Sequence, residues 1–476
     1  MIRTRSRLAA SIMALALVAA SCGDDDDDDA AEDTAETGGA TATTEAAPQT
    51  TAAATTDAPA TTAAATTAAP ETTEAAPDTT AAPEAQTIKI GFAWPDLSAF
   101  LAVSESYGVG DPEEQMLAVL EGWRQDGTLP INGVDIELVS QSFDALDPET
   151  KLAACQKFGA EDEVFAVLGG RIFTEGAECM ATRFQTPVID TDQAPAATME
   201  AAAPYMFTLK PDTTEAVTTF ANWAIGRGSF DGKKIGLYWE GGQDAAAEAF
   251  KQILADNGMT LTSEIQTGGQ GSVGNEQDAL AAQKFQADGV DLVIFFVGSS
   301  GMVNVLQTAA DQGYTPDYLD LEWSSHMSDV AAAAYNQEQW AGVEALSATR
   351  LGELPDLSPD AEDCIANYEE FSGNTIDREP PEKSGEFSNI LIACELGNIL
   401  LQGIEGATAD GGELTQESFI AAVEAIQDAP GLGWINTISF SADDHTAPAD
   451  VREVTWDTAC TCWKASSDWM PISDFE

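Results

Sequence analysis

Short apolar runs alternate with longer segments whose apolar residues repeat at helical spacing, beginning at residue 87. In the first long segment Met116, Leu117, Leu120 and Trp123 fall on one helical face, which predicts an amphipathic helix. Strands are predicted at 88–92, 134–139, 164–168 and 187–190, with further helices around 152–158 and at 175–185. Strand and helix alternate at short intervals, so the pattern predicts a parallel sheet with helices on both faces.

The same alternation starts again after residues 205–210. Helices are predicted at 215–227, 245–257, 275–288 and 302–312, with strands at 234–239, 260–266, 291–297 and 318–321. A mainly helical part follows over 358–427, where Phe387, Ile390, Leu391, Cys394 and Leu401 repeat at helical spacing. We interpret that long apolar face as core, because a lobe of this size needs one.

The N-terminus carries an export signal. Arg3, Arg5 and Arg7 precede an apolar run at 8–20 that is too short to span a bilayer. Residues 18–22, Val-Ala-Ala-Ser-Cys, resemble a bacterial lipobox, which implies cleavage before Cys22 and lipidation of its thiol. We therefore expect a signal peptide at 1–21 and an extracytoplasmic protein held at the outer face of the bacterial cytoplasmic membrane by that lipid.

Residues 22–86 are predicted to be a disordered tether. They contain six consecutive aspartates and then mostly Thr, Ala, Pro and Glu, with no aromatic residue and little to bury. A flexible chain of this length has a root-mean-square span of roughly 45 Å. We interpret the aspartate run as a solubilising segment, because like charges in an unstructured chain repel one another.

The chain is strongly acidic, with 80 Asp and Glu against 20 Lys and Arg and a formal charge of -60. This balance argues against binding to nucleic acid or to anionic membranes, whose affinity comes from lysine and arginine. It is compatible both with general solubility and with a salty habitat.

Cysteine and histidine usage favours disulfides over metal binding. Seven cysteines less the lipidated one leave six, an even number in an exported chain. The two histidines, His326 and His445, are far apart and neither is near a cysteine pair, so we expect no metal site and predict both as surface residues.

From residue 87 to the C-terminus the chain resembles the type I periplasmic binding proteins, in particular the branched-chain amino-acid branch that serves ABC transporters. The segments that carry the resemblance are 88–92, 132–139 followed by Asp144, Val-Leu-Gly-Gly at 167–170, Thr-Pro-Val-Ile at 186–189, 233–237 and 289–293. Each is weak alone, and their order and spacing make the resemblance.

The resemblance implies an α/β fold of two doubly wound parallel-sheet lobes joined by a three-segment hinge. The crossings are expected near 207–210, 345–348 and 434–438. Lobe 1 would comprise residues 87–208 and 348–437, and lobe 2 residues 209–347 and 438–476. The implied function is an ABC importer's substrate-binding lipoprotein that closes on an amino acid or similar small polar solute. Its partners would be that solute and the permease subunits, and we expect a monomer without a cofactor.

Cysteine pairing is also informed by the relatives. Cys155 and Cys179 lie on predicted helices flanking one strand, a pairing that the amino-acid-binding relatives also use. Cys364 with Cys394 would join two lobe 1 helices, leaving Cys460 and Cys462 either bridged in a tight ring or free.

In doubly wound sheets ligands bind beyond the carboxyl ends of the strands. The candidate residues at these places are Trp94, Arg171, Phe173, Thr174, Asp190, Asp192 and Gln193 on lobe 1, and Glu240, Gln243, Asp244, Ser299, Ser300, Glu322 and Trp323 on lobe 2.

The relatives imply roles for some of these positions. Their loops matching 170–174 and 190–193 hold the ligand carboxylate, and an acidic residue placed like Glu322 takes its ammonium. This chain has Arg171, Phe173, Asp190 and Asp192 where the relatives have serines and threonines. Arg171 can clamp a carboxylate with two parallel hydrogen bonds, and Trp94, Trp239 and Trp323 can stack on an apolar or cationic group.

An enzyme is not expected, since the sequence has no Gly-x-Ser-x-Gly turn, histidine pair or phosphate loop. Gly269, Gly271 and Gly274 match a dinucleotide fingerprint, but Asp291 precedes a strand instead of ending one, which favours a flexible glycine loop. The alternative function is a binding module of the same fold that reports to a sensor or receptor. A purely structural surface protein would bind no solute at all.

Overall fold

The computed structural model describes residues 86–98, 108–145, 147–268, 276–349, 357–378 and 385–475. The predicted signal peptide and lipobox, nearly all of the predicted tether and the glycine loop at 269–275 lie outside these ranges.

The first lobe contains a five-stranded sheet in the order β2-β1-β3-β4-β5, and every neighbouring pair is parallel. Its strands are β1 Gln86–Asp96, β2 Val134–Asp144, β3 Ala166–Gly169, β4 Val188–Asp190 and β5 Met206–Thr208. Side chains alternate between two core clusters on its faces, so that Val167 packs in one cluster and Leu168 in the other. Successive residues of a strand point to opposite faces, and both faces are buried along β3. Consecutive positions are therefore apolar, which gives the continuous apolar run in the sequence.

The first-lobe helices come from two parts of the chain. They are α1 Pro112–Asp126, α2 Pro148–Gln156, α3 Thr174–Cys179 and α4 Ala196–Ala202, and later α11 Pro359–Ser372, α12 Gly385–Thr408 and α13 Gln416–Glu424. Helix α1 begins with Asp111, which accepts a hydrogen bond from the backbone N–H of Glu114, and with Pro112 in its first turn. The same acid-proline start recurs at α2, and a serine-proline start at α11, so local sequence fixes where these helices begin.

The second lobe contains an eight-stranded sheet in the order β14-β13-β10-β9-β8-β6-β7, with β15 paired to β13. Its strands are β6 Ile235–Glu240, β7 Ser263–Thr267, β8 Leu292–Phe296, β9 Asp317–Leu321, β10 Glu344–Ser347, β13 Asp450–Asp457, β14 Cys462–Ala465 and β15 Met470–Pro471. Strands β6 to β10 are parallel to one another, whereas β13 pairs antiparallel with β10, β14 and β15. The second-lobe sheet is thus a parallel set, as expected, extended by three antiparallel strands from the C-terminal part of the chain.

Helices cover the second lobe in the same βα order. They are α5 Thr213–Gly226, α6 Asp244–Asp256, α7 Glu276–Asp288, α8 Ser299–Asp311, α9 Asp329–Ala332 and α10 Gln337–Trp340. A two-stranded ribbon, β11 Ala429–Pro430 with β12 Thr437–Ile438, lies between the last first-lobe helix and β13. The fold class expected from the sequence, two α/β lobes, is confirmed.

The chain changes lobes at three places. The first two follow β5 and β10. Ile438, Phe440 and Ala447 pack in a first-lobe core cluster, whereas Val451 packs in a second-lobe cluster. The third change of core therefore comes about ten residues after the predicted segment 434–438, because the stretch between carries little regular structure from which to predict it.

Three disulfides are present, Cys155–Cys179, Cys364–Cys394 and Cys460–Cys462. The first two pairings were predicted, and the third resolves the open alternative in favour of the tight ring.

The prediction that both histidines lie on the surface is wrong. His326 is fully buried between Asp320 and the carbonyl of Val297, and His445 is buried against Met206 and Glu424. Sequence spacing gave no sign of these contacts, because each ring meets partners from elsewhere in the chain.

Among the described residues, one helix is long and apolar enough to cross a membrane by composition alone. It is α12 with the turn after it, Gly385–Gly411, and 83% of its apolar window is buried inside the protein. That burial is typical of a core helix, in agreement with the interpretation of the 358–427 region.

Candidate functional site in the interlobe cleft

A cavity of about 190 Å³ lies between the two lobes, next to the first chain crossing. Its walls are formed by Leu97, Arg171, Ile172, Thr191, Asp192, Lys210, Ser324, Ser325, Ser328 and Trp434. Most of these residues follow the carboxyl ends of β1, β3, β4 and β9, while Lys210 lies at the first crossing and Trp434 shortly before β12. The cavity is thus at the sheet edge where doubly wound folds bind ligands.

The loop after β3 is built so that Arg171 reaches this cavity. A side chain at Gly169 would collide with Oδ1 of Asp190 at 2.4 Å, and one at Gly170 would meet the carbonyl oxygen of Ala93 at 2.8 Å. The two glycines therefore allow the loop to pass close to β1 and β4. Nη2 of Arg171 then donates to Oγ of Ser388 at 3.1 Å.

Ile172 has a backbone φ of 67° and exposes 39% of its surface. A β-branched residue in the left-handed region is uncommon and strained. Ser324, on the opposite wall, also has a positive φ, of 48°. Strained residues therefore line the cavity from both lobes.

Three buried polar atoms belong to residues that line this one cavity and have no hydrogen-bond partner among the described residues. They are Nε of Arg171, Oγ1 of Thr191 and Nε1 of Trp434. Leaving a buried polar atom unpaired costs about 1 to 3 kcal/mol, so most such atoms in proteins are satisfied. Because all three belong to residues that line it, the cavity is a candidate site for a polar group that accepts hydrogen bonds.

The acidic groups beside Arg171 differ in environment. Burial raises the pKa of Asp190 well above its usual range, and the neighbouring charge of Asp192 raises it further. Burial also raises the pKa of Asp192, while the charges of Lys210, Lys151 and Arg171 oppose that rise. Burial lowers the pKa of Arg171, and the charge of Asp192 counteracts this. Of the two aspartates, Asp192 lines the cavity.

Glu322 forms a buried ion pair with Lys210, at 3.1 Å between Oε1 and Nζ. Its Oε2 accepts hydrogen bonds from Oγ of Ser347, Oγ1 of Thr349 and the backbone N–H of Ala348. Lys210 also donates to the carbonyl of Ser324 and lies 6.0 Å from the centre of the Trp434 ring. Lys210 lines the cavity, whereas the Glu322 carboxylate lies behind it.

Other first-lobe candidates surround the cavity without lining it. Nε1 of Trp94 donates to Oγ of Ser140 at 3.0 Å, and Trp94 lines a small pocket shared with Arg171. Phe173 is fully buried against Phe143, and only its backbone N–H reaches the site, where it donates to Asp192. Thr174 begins α3 behind it. The amide of Gln193 crosses to the backbone carbonyl of Glu322 at 3.3 Å.

The second-lobe candidates are also mostly engaged within their lobe. Glu240 accepts a hydrogen bond from the backbone N–H of Gly298, and burial raises its pKa. Asp244 accepts from Trp239 and Gln266. Ser299 shares a 2.6 Å hydrogen bond with the cavity residue Ser325.

Gln243 precedes α6, and Ser300 accepts a hydrogen bond from Asn304 inside α8. Trp323 stacks on Phe296 in the core, and Trp239 is also a core residue.

Lys210 and Trp434 line the cavity but are not among the ligand-binding residues predicted from the sequence. Both lie in segments that were predicted as chain crossings, although only Lys210 is at a crossing in the structure. Their position in those segments was the signal that could have identified them.

The chain matches the sequence profile of the periplasmic binding protein family over residues 87–461. It belongs to that family. No curated protein sequence shows significant similarity to it. Members of this family bind solutes and are not enzymes, so the chain is a binding protein. Membership also implies a location outside the cytoplasm.

Solved structures of type I binding proteins show the same fold at low sequence identity. A solute-binding protein of an ABC transporter from Rhodopseudomonas palustris, in complex with 3,4-dihydroxybenzoic acid, has 15% identity and a TM-score of 0.59, covering 81% of this chain and 98% of that one. A branched-chain amino-acid ABC transporter protein from Thermus thermophilus with bound valine has 14% identity and a TM-score of 0.61, covering 82% and 98%. A substrate-binding protein from Desulfitobacterium hafniense in complex with leucine has 15% identity and a TM-score of 0.56, covering 80% and 100%.

Proposed function

We propose that this periplasmic binding protein captures a small carboxylate-bearing solute between its lobes and delivers it to an ABC importer. The observation that carries the proposal is that Arg171 Nε, Thr191 Oγ1 and Trp434 Nε1, all buried and without a hydrogen-bond partner among the described residues, belong to residues that line one cavity. Two are N–H donors, and the third is a hydroxyl that can also donate. A carboxylate accepts several hydrogen bonds at once and pairs with a guanidinium.

The structural neighbours support this chemistry. The three proteins described above bind dihydroxybenzoate, valine and leucine. These solutes all carry a carboxylate and differ in the rest of the molecule. The exposed apolar surface of Ile172 and the Trp434 ring would face the solute's apolar part. A cavity of this kind suits one small molecule held by a few polar groups in apolar walls.

Capture by lobe closure follows from the distribution of these groups. Arg171, Thr191 and Trp434 belong to the first lobe, and Ser324, Ser325 and Ser328 to the second. A solute that contacts both sets at once is bound better by the closed form, and this difference in affinity drives closure.

A thermal-shift screen of amino acids, aromatic acids, aliphatic carboxylates and sugars tests the proposal. A solute present at a hundred times its Kd should stabilise the protein by about 2.7 kcal/mol. Arg171→Met should abolish the shift given by the carboxylate hit. Arg183→Met, which alters an exposed arginine of the same lobe outside the cavity, should preserve it. A screen in which only sugars bind, or an unchanged affinity in Arg171→Met, contradicts the proposal.

We also propose that Cys22 carries the lipid anchor. The lipobox at 18–22 supports this assignment, and the three disulfides are consistent with an oxidising compartment outside the cytoplasm. Cys22→Ala should stop incorporation of labelled lipid and release the protein from membranes. Unchanged lipid incorporation in that variant would exclude this anchor.

A further inference from the structure

The carboxylate of Glu322 is held inside the protein by an ion pair on one oxygen and three hydrogen bonds on the other. Oε1 pairs with Lys210 at 3.1 Å, and Oε2 accepts from Thr349 at 3.0 Å and Ser347 at 3.1 Å, and from the backbone N–H of Ala348 at 3.2 Å. Three donors share Oε2, and Oε1 has the Lys210 ammonium as its ion-pair partner but no hydrogen bond among the described residues. A solute ammonium would have to displace Lys210 to reach it.

Asp192 is placed differently. It lines the cavity, and its Oδ2 accepts the backbone N–H of Phe173 at 3.1 Å. Within the part of the chain that the structure describes, no lysine or arginine forms an ion pair with it. Its nearest cationic neighbours, among them Lys210 and Arg171, act on it only through longer-range attraction. A partly buried carboxylate in this position gains from direct contact with a cation.

The hydrogen-bond donors and this acceptor belong to residues that line the same cavity. Thr191, whose hydroxyl has no partner, is the residue before Asp192, and Arg171 lines the same cavity. In an α-amino acid the carboxylate and the ammonium are bonded to one carbon. A site for such a solute therefore needs donors and an anionic acceptor side by side, which these three residues supply.

We infer that Asp192 binds the ammonium of an α-amino acid whose carboxylate is held by Arg171, Thr191 and Trp434, while Glu322 serves the hinge and does not contact the solute. This inference rests on the proposed function. It predicts that the solute is a zwitterion. It also places the ammonium-binding residue in the first lobe, whereas the resemblance implied Glu322 of the second lobe.

The test compares matched solutes on the wild-type protein and on Asp192→Asn. The asparagine carbonyl can still accept the N–H of Phe173, so the variant removes the charge while keeping that contact. The probes are leucine with 4-methylpentanoate and phenylalanine with 3-phenylpropanoate, pairs that differ only in the amino group. By calorimetry the wild type should bind the better amino acid at least about tenfold more tightly than its partner, the size of one charged hydrogen bond. In Asp192→Asn this preference should fall to about threefold or less, since that bond is lost.

Two further variants serve as controls. Glu175→Gln changes a half-exposed acid that pairs with Lys151 outside the cavity, and it should keep the preference. Glu322→Gln should also keep it, measured under conditions where circular dichroism shows the variant folded. If Glu322→Gln does not fold, Asp192→Asn alone still tests whether Asp192 binds the ammonium.

The inference is overturned if Asp192→Asn retains the preference, or if the wild type prefers the acids without an amino group. Failure of the proposed function looks different, because then no carboxylate binds the wild type at all. If a carboxylate without nitrogen binds and Arg171→Met weakens it, the proposed function stands and the assignment of Asp192 falls.

Discussion

Lys210 and Glu322 form an ion pair whose side chains are only 5% and 4% exposed. Lys210 follows β5 at the first chain crossing, and the other oxygen of Glu322 holds Ser347, Ala348 and Thr349 at the second. The pair therefore ties two of the three crossings together directly beside the cavity that Lys210 lines.

Removing one member of this pair should destabilise the protein strongly. Lys210→Met or Glu322→Gln leaves a buried charge without its partner, which costs about 3 to 5 kcal/mol. The double variant should lose less than the sum of the two, since it leaves no unpaired charge. Urea unfolding measures all three. Strictly additive losses, or single losses below about 1 kcal/mol, would show that the pair does not stabilise the hinge.

Ile172→Gly should make the protein more stable but a weaker binder. The left-handed backbone at Ile172 is strained for a β-branched residue, and glycine relieves a strain of about 1 to 3 kcal/mol at some cost in chain entropy. We expect a net gain of about 1 kcal/mol in the free energy of unfolding. Solute affinity should fall, because an apolar side chain is lost from the cavity wall.

Gln185→Gly is the matched control for this trade between stability and binding. Gln185 also has a positive φ, of 53°, but is exposed at the end of the helical segment after α3. It should gain stability without any change in affinity. Equal affinity changes in the two glycine variants would argue against a contact between Ile172 and the solute.

Glu395 should make stability depend on pH. This fully buried residue of α12 accepts backbone N–H groups from Leu432, Trp434 and Ile435, and so holds the segment that carries Trp434. Burial raises its pKa from 4.5 to about 7, although these hydrogen bonds oppose the rise. The folded state thus favours the protonated acid, and this contribution to stability is present below pH 4.5 and lost as the pH rises through 7.

The free energy of unfolding of the wild type, relative to Glu395→Gln, should therefore decrease between pH 5 and pH 8 and level off above that. Urea unfolding at four pH values in this interval measures the difference. Glu405→Gln, on an exposed position of the same helix, should show no such trend. A difference between wild type and Glu395→Gln that does not vary with pH would contradict the raised pKa.

The fold was predictable because its strands are buried on both faces and its helices begin at recognisable caps. Continuous apolar runs such as 164–168 and 291–297 are typical of parallel strands that are covered on both faces. The third crossing was placed too early, since the segment between Trp434 and Ala447 is irregular and its burial depends on contacts with α12.

The site was predictable only to the level of loops. Strand ends identify the loop 170–174, but not which of its side chains enter the cavity. Arg171 lines the cavity, whereas Phe173 packs in the core, as does Trp323 in the opposite lobe. Whether Glu322 is available to a solute likewise depends on Lys210, which is more than a hundred residues away in sequence.

The central claim is that unpartnered donors around one cavity bind the solute's carboxylate, and the affinity of Trp434→Phe for the carboxylate hit tests it most directly. Phenylalanine keeps an aromatic ring and removes the indole N–H. Trp340→Phe is the control, because its Nε1 is also buried without a partner among the described residues but lies in the second-lobe core. By calorimetry Trp434→Phe should weaken binding about tenfold or more, the loss of one hydrogen bond to a charged group, and Trp340→Phe should leave it unchanged. Equal affinities in both variants and the wild type would contradict the account.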